Sequence, residues 1–269
     1  MLQITSSKNP SVKHVCALRD RRTREKERLT LLEGYRELFR GNEFGMEIKE
    51  VFFCPEMFLG ENEFPLLDIL AGAGAKLAQV PPHLMTKMTY RDRPEGLIAV
   101  AVMKEHKLSA LAYKPNSLYI IAEAVEKPGN LGSILRSADA AGADALIICN
   151  KCTDIYNPNV IRASTGALFS VPIAEAGTEE TIEWLKENKI KSLAATPHTD
   201  LVYTEADMTQ SVAIVVGTEQ HGLSAQWLDR ADIAVRIPML GKIDSLNVAT
   251  AATILLYEAA RQRKWKPKG

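Results

Sequence analysis

Apolar and polar positions fall into blocks whose period changes along the chain. In the first hundred residues, LTLLEG, IKEVFFC, KLAQV and GLIAVAVM are apolar runs of strand length. Between them lie stretches with helical spacing. NPSVKHVCALRDRRTREKERL predicts one long helical stretch, with Asn9 as its cap and Pro10 at the first helical position. YRELFRGNEFG and NEFPLLDILAGAG predict helices that run into glycine, and PPHLMTKMT a short helix. This small α/β unit ends near Met103. KEHKLSALAYKPN then loses the periodicity and carries a proline. The expected division is a first domain over 1–105, a linker over 106–116 and a second domain over 117–269.

The second domain repeats the alternation. SLYIIAEAV, DALIIC, VPIAEA, IKSLAAT, SVAIVVG and DIAVRIP predict strands. NLGSILRSADAAGA, EETIEWLKENK and SAQWLDRA predict helices, PNVIRASTGALFS a loop and helix, and SLNVATAATILLYEAARQRKWK a long closing helix. Apolar strands alternating with helices predict an α/β fold with a mostly parallel sheet covered on both faces.

Composition narrows the function classes. Hydrophobic residues make up 46% and charged residues 25%, as in an ordinary globular protein, while aromatics at 6% leave no broad base-stacking platform. The N-terminus lacks the pattern of a secretory signal, and no apolar run is long enough to span a bilayer, so a soluble cytoplasmic protein without membrane attachment is expected. Cys149 and Cys152 form a C-x-x-C, but no second ligand pair accompanies them and no helix opens at the first cysteine. Two packed small apolar side chains are the expectation, with no metal. The 33 basic and 33 acidic residues cancel, yet the basic ones cluster. Residues 8–28 hold Lys8, Lys13, Arg19, Arg21, Arg22, Arg24, Lys26 and Arg28 against Asp20, Glu25 and Glu27, and 261–268 holds five bases and no acid. Such segments suit a phosphate-binding surface, although a solvated helix face gives the same pattern.

Three segments of the second domain carry candidate chemistry. In EKPGNLGSILRSADAAGAD, Asn130 is placed to cap a helix, and Arg136 stands alone in a small, apolar helix where it needs a charged or hydrogen-bonding partner. In IVVGTEQHGLS a buried strand ends on Gly217, and Glu219 falls at the carboxyl edge of the sheet, where ligands of open α/β sheets bind. In IPMLGKIDSLNVATAATILL, Ser245 is a natural N-cap, and the helix start offers backbone amides. Neither G-x-G-x-x-G nor a P-loop is present.

In this order, the three segments resemble the three motifs of the SpoU (TrmH) family, a branch of the SPOUT superfamily of RNA methyltransferases. The likeness covers about residues 117–264. The N-terminal ITSSKNPSVK and LLEG also resemble the ribosomal-protein-like, substrate-binding α/β domain of many members. The resemblance implies a SPOUT α/β domain with a C-terminal trefoil knot, bound S-adenosylmethionine and a homodimer. It further implies methylation of a ribose 2′-hydroxyl in RNA, foremost 23S ribosomal RNA, with no DNA partner. By motif match, Asn130, Arg136, Glu219, Ser245 and Asn247 become catalytic candidates. Thr196, Gly217, Ile237, Pro238 and Leu246 become cofactor contacts. A transfer RNA 2′-O-methyltransferase, a SPOUT base methyltransferase and a non-catalytic RNA-binding assembly factor are the alternatives. The SpoU-type first motif favours ribose, and the intact polar set opposes a non-catalytic role.

Overall fold

The computed structural model describes residues 2–265, so Lys266 and Lys268 of the basic tail lie outside the described residues. These residues form two compact units, 2–105 with 156–169, and 106–155 with 170–265.

The first unit opens with β1 (Leu2–Gln3), α1 (Pro10–Ala17), α2 (Arg21–Glu27) and β2 (Leu29–Glu33). It continues through α3 (Tyr35–Glu43), β3 (Ile48–Phe53), α4 (Glu63–Gly72), β4 (Lys76–Gln79), α5 (Pro82–Met88) and β5 (Leu97–Val102). Its sheet runs β1-β4-β3-β5-β2. β1, β4 and β3 are parallel, and β5 is antiparallel to both β3 and β2. Val12, Val15 and Leu18 pack with Met85, Met88 and the strand residues Leu31, Phe52 and Val100 into one core.

The single helix expected after Asn9 is broken. Asn9 does cap α1, accepting from the Ser11 amide, but Asp20 caps a second helix by accepting from Arg22 N at 2.9 Å and Thr23 N at 3.2 Å. An aspartate this close to the backbone offers it a partner other than the helix ladder. The buried Arg24 consolidates the break, donating to Leu18 O at 2.9 Å and Arg19 O at 2.7 Å. Arg19 donates to Met88 O at 3.1 Å and to the carbonyls of Lys87 and Thr89. Two arginines of the basic run therefore hold the fold together.

A second charged cluster fixes the LLEG segment. Glu33 accepts from Tyr90 N at 2.8 Å and Arg91 N at 3.3 Å, while Arg91 pairs with Glu37 at 2.8 Å and with Glu95. Burial pushes the Glu33 and Glu37 carboxyls up, and Arg91 opposes the rise. Gly34 sits at φ +94°, and a Cβ there would lie 2.9 Å from Arg91 Nη1 and 2.5 Å from Glu95 Oε2.

The chain continues through β6 (Leu118–Glu123), α6 (Pro128–Ala140) and β7 (Ala145–Cys149), then α7 (Pro158–Ser164) and α8 (Ala167–Ser170). Next come β8 (Ile173–Ala176), α9 (Thr178–Glu187), β9 (Lys191–Ala195) and β10 (Val212–Val216). It closes with α10 (Ala225–Arg230), β11 (Ile233–Val235) and α11 (Val248–Gln262).

Two boundaries differ from expectation. Residues 106–116 are part of the second unit, because Glu175 N donates to His106 O at 2.7 Å and Lys107 bridges to Glu175 of β8. Residues 156–169 group with the first unit, where α7 packs on β2 and Asn159 Nδ2 donates to Tyr90 Oη at 3.3 Å.

The second unit holds a six-stranded, wholly parallel sheet ordered β11-β9-β10-β6-β7-β8. Tyr119, Ile121, Ile147 and Val215 pack on one face with Ile182 and Leu185 of α9 and Trp227 of α10. α6 and α11 pack on each other, and α11 also packs on β6 and β10. Ser137 Oγ and Thr253 Oγ1 join the two helices at 2.6 Å. Because every strand runs the same way, the loops after β6, β9, β10 and β11 emerge at one edge. Ile121 is fully buried on β6, between β10 and β7. Ile121→Ala is expected to destabilise this unit by about 2–5 kcal/mol, read as a lower urea midpoint.

Candidate active site

Lys127, not Asn130, is the N-cap residue of α6, with Pro128 at the first helical position. Proline suits that position and fixes the start three residues before the expected cap. The Asn130 side chain is thereby released from capping. It donates to Glu219 Oε1, in the loop after β10. Asn247 Nδ2 reaches the same oxygen at 2.8 Å and Asn130 Oδ1 at 3.1 Å. Lys127 Nζ pairs with Glu219 Oε2. One carboxylate thus collects donors from the starts of α6 and α11. The hydrogen bond from Lys127, helped by that from Asn130, holds the Glu219 carboxyl below its ordinary range.

Asn247 has a second task. Its Oδ1 caps α11, accepting from Ala249 N at 3.0 Å and Thr250 N at 3.4 Å. Ser245, the expected cap, is exposed and hydrogen-bonds to no described residue. Asparagine caps as well as serine does, and the helix begins only at Val248, so the cap falls two residues later.

The loop carrying Glu219 is closed on itself and tied down at its far end. Thr218 N donates to Gly222 O at 2.9 Å, and Gly222 N returns the bond at 3.1 Å. A Cβ on Gly217 would stand 2.2 Å from Gly222 O and 2.6 Å from Leu223 N. Gly217 therefore makes room for its own loop's main chain. Beyond the turn, Ser224 donates to Glu123 through its amide at 2.8 Å and its hydroxyl at 2.7 Å. Glu123 is buried at the end of β6 and also accepts from Thr178 Oγ1 at 3.2 Å. Thr153 Oγ1 lies 2.8 Å from Val125 O and 2.6 Å from Glu126 O, bracing the approach to α6.

A cavity of about 140 Å³ opens beside this cluster, lined by Val125, Lys127, Asn130, Gly217, Glu219 and His221 among others. Thr196 follows β9 and is buried, and its Oγ1 accepts from His198 N at 3.2 Å. Ile237, Pro238 and Leu246 lie in the segment between β11 and α11. With β11, β9 and β10 adjacent and parallel, Thr196, Gly217 and Ile237 share one sheet edge. No main-chain group from Ile237 to Leu246 bonds to another described residue, and Leu240 is 98% exposed.

Arg136 is not brought into the cluster. It lies about 9 Å along α6 from Asn130 and roughly 120° around the axis. It is exposed and makes no hydrogen bond or ion pair with any described residue. Sequence reasoning missed Lys127, Glu123, Thr153 and Ser224. An acid ending the apolar run LYIIAE was the one available signal for Glu123.

The C-x-x-C splits in two. Cys149 is buried, its Sγ lies 3.1 Å from Thr181 Oγ1, and burial pushes its thiol up to about 12. Cys152 is exposed, contrary to the expected packing, because the chain has left β7 by that point. No cluster of metal-ligating side chains occurs among the described residues. No described helix is long and apolar enough to cross a membrane.

Residues 117–257 match the SpoU rRNA Methylase family, and residues 9–99 match the MRM3-like substrate binding domain. The chain belongs to the SpoU rRNA methylase family. Among its SpoU relatives, the 23S rRNA (uridine(2479)-2′-O)-methyltransferase of Streptomyces viridochromogenes is 33% identical, over 91% of this chain and 86% of that protein. The 23S rRNA (guanosine(2553)-2′-O)-methyltransferase RlmP of Bacillus subtilis (strain 168) is 30% identical, over 96% and 98%. The AdoMet-bound crystal structure of an rRNA methyltransferase from Sinorhizobium meliloti superposes with a TM-score of 0.88 at 30% identity, covering 96% of this chain and 97% of that one.

The double role of Asn247 in this SpoU site can be separated by substitution. Asn247→Ala should lose both the cap, worth about 1 kcal/mol of stability, and the site contact. Asn247→Asp should keep the cap, yet it sets a second carboxylate against Glu219. Thermal melting near wild type with lost activity is expected for the aspartate variant; equal losses in both variants would contradict this.

Proposed function

We propose that this chain transfers a methyl group from S-adenosylmethionine to a ribose 2′-hydroxyl of 23S ribosomal RNA. One observation carries the reading: one polar residue from each of the three motifs, Asn130, Glu219 and Asn247, meets the others at one sheet edge, in a chain that aligns with 86% and 98% of the length of two relatives named for that activity. The two relatives act on different nucleotides, a uridine and a guanosine, so the class of RNA carries over and the position does not.

The residues present fit the cofactor. The unpaired main chain of 237–246 offers amides and carbonyls to a purine, and the exposed Leu240 and Ile243 offer apolar cover. Thr196, Gly217, Ile237, Pro238 and Leu246 are the proposed contacts. When bound, the sulfonium supplies an activated methyl group. The ribose oxygen must approach in line, and its proton must leave as the O–CH₃ bond forms and the S–CH₃ bond breaks. Glu219 is a poor acceptor for that proton: its two oxygens already receive Lys127, Asn130 and Asn247. It orients the two amides towards the ribose instead. Arg136 is free to bind substrate. Guanidinium is a poor base, so Arg136 grips the adjacent phosphate and stabilises developing alkoxide charge, while the proton passes to a phosphate oxygen or water.

The remaining assignments belong to the same reading. The first unit is the RNA substrate-binding domain, and the second unit, which includes 106–116, is the methyltransferase domain. The likeness to the SpoU family, over residues 117–257, supports a trefoil-knotted C-terminus. The exposed Tyr257, paired with Trp265 at 6.1 Å, supports a homodimer through α11. Ribosomal RNA as substrate makes the site of action cytoplasmic. Tritium transfer from labelled S-adenosylmethionine to 23S ribosomal RNA, recovered in alkali-resistant dinucleotides, tests the function; label in the bases or no label contradicts it. Arg136→Ala should lower transfer by about 10²–10³-fold, with calorimetric cofactor affinity unaltered. Arg136→Lys should fail comparably, since a point charge does not replace a planar fork.

A further inference from the structure

Lys127 is the cation of the site that motif reasoning did not supply, and its surroundings say what it does. It caps α6 through backbone geometry alone, with no side-chain capping bond. Its ammonium instead pairs with Glu219 across 92 residues of chain. The Lys127 side chain is 70% exposed and that of Glu219 is 27% exposed. Ion pairs this open to water are weak and screened by salt. Glu219 does not need this one to stay in place, because Asn130 and Asn247 hold its other oxygen. The cluster therefore contains one partner that can leave without dismantling it.

Charge gives that partner a destination. Glu219 and Glu126 both border the cavity, so the mouth that must admit a polyanionic backbone carries two carboxylates. Lys127 neutralises one of them and stands at the rim. A lysine ammonium on a flexible stem can turn from a carboxylate to a phosphate as a point charge, which a planar guanidinium does less readily. We propose that Lys127 exchanges Glu219 for an RNA phosphate when the target nucleotide enters, and so holds one of the two phosphates that flank the ribose while Arg136 serves the other. The proposal rests on the RNA methyltransferase reading.

The test uses the full-length protein and 23S ribosomal RNA, with RNA affinity and kcat/KM for methyl transfer measured across about 50–200 mM salt. Lys127→Ala should raise KM for RNA by about 3–10-fold. It should also flatten the log–log salt slope by roughly 0.7–0.9, the value of one phosphate contact. Lys127→Arg should restore the slope. Lys186→Ala, which removes the same charge from the last turn of α9 at the opposite end of the parallel layer, should behave as wild type. A role confined to holding Glu219 would lower the rate at every salt concentration and leave the slope alone; that result, or a wild-type slope in Lys127→Ala, overturns the proposal. Failure of the wild type to methylate would sink the methyltransferase reading, while the slope of RNA binding would still decide the part played by Lys127.

Discussion

The carboxylate of Glu219 is the point on which the site is assembled. It takes an ammonium from Lys127 and two amides from Asn130 and Asn247, groups that enter from two helix starts and lie far from it in sequence. Charge-assisted hydrogen bonds of this kind are short and directional. A neutral side chain in its place cannot accept from all three. The parallel sheet makes the meeting possible by delivering every strand's following loop to one edge. Glu123 then fixes the far end of the Glu219 loop, and the missing side chain of Gly217 lets that loop turn back on itself.

Charge in this protein is spent on structure as often as on recognition. Arg19 and Arg24 lie within the basic run that a phosphate surface would need, yet both donate to main-chain carbonyls of the first unit. Arg91 sits among Glu33, Glu37 and Glu95. The cations free for RNA are fewer than their count in the sequence, which raises the weight carried by Arg136 and Lys127.

What the sequence made legible follows the physics of each feature. Buried strands such as LYIIAE and VAIVV are unmistakable, because a parallel sheet covered on both faces needs uninterrupted apolar runs. The motif order named Asn130, Glu219 and Asn247, which the structure brings together, and equally Arg136 and Ser245, which it leaves outside the cluster. Caps were less legible: cap preference favours Asn130 over Lys127, yet Pro128 sets the earlier start, and between Ser245 and Asn247 preference does not choose. Asp20 suits a helix start better than a helix interior, so the break above the buried Arg24 had a local signal that the helical spacing on either side masked. Residues 156–169 carry no mark of which core they cover, since either one would accept the apolar face of α7. Lys127 had no signal at all, because an exposed lysine is the commonest of surface residues.

The central claim, that Glu219 organises donors and does not take the proton, is tested most directly by pH–rate profiles of the wild type and Glu219→Gln. Its lowered pKa keeps Glu219 ionised above its ordinary value of 4.5, and its contribution is lost only as pH falls through the depressed folded value. An organising carboxylate predicts a variant slower at every pH, with the shape of the kcat/KM profile above pH about 5 unchanged. An acid limb above pH about 5 that is present in the wild type and abolished in Glu219→Gln would make Glu219 the base and contradict the claim.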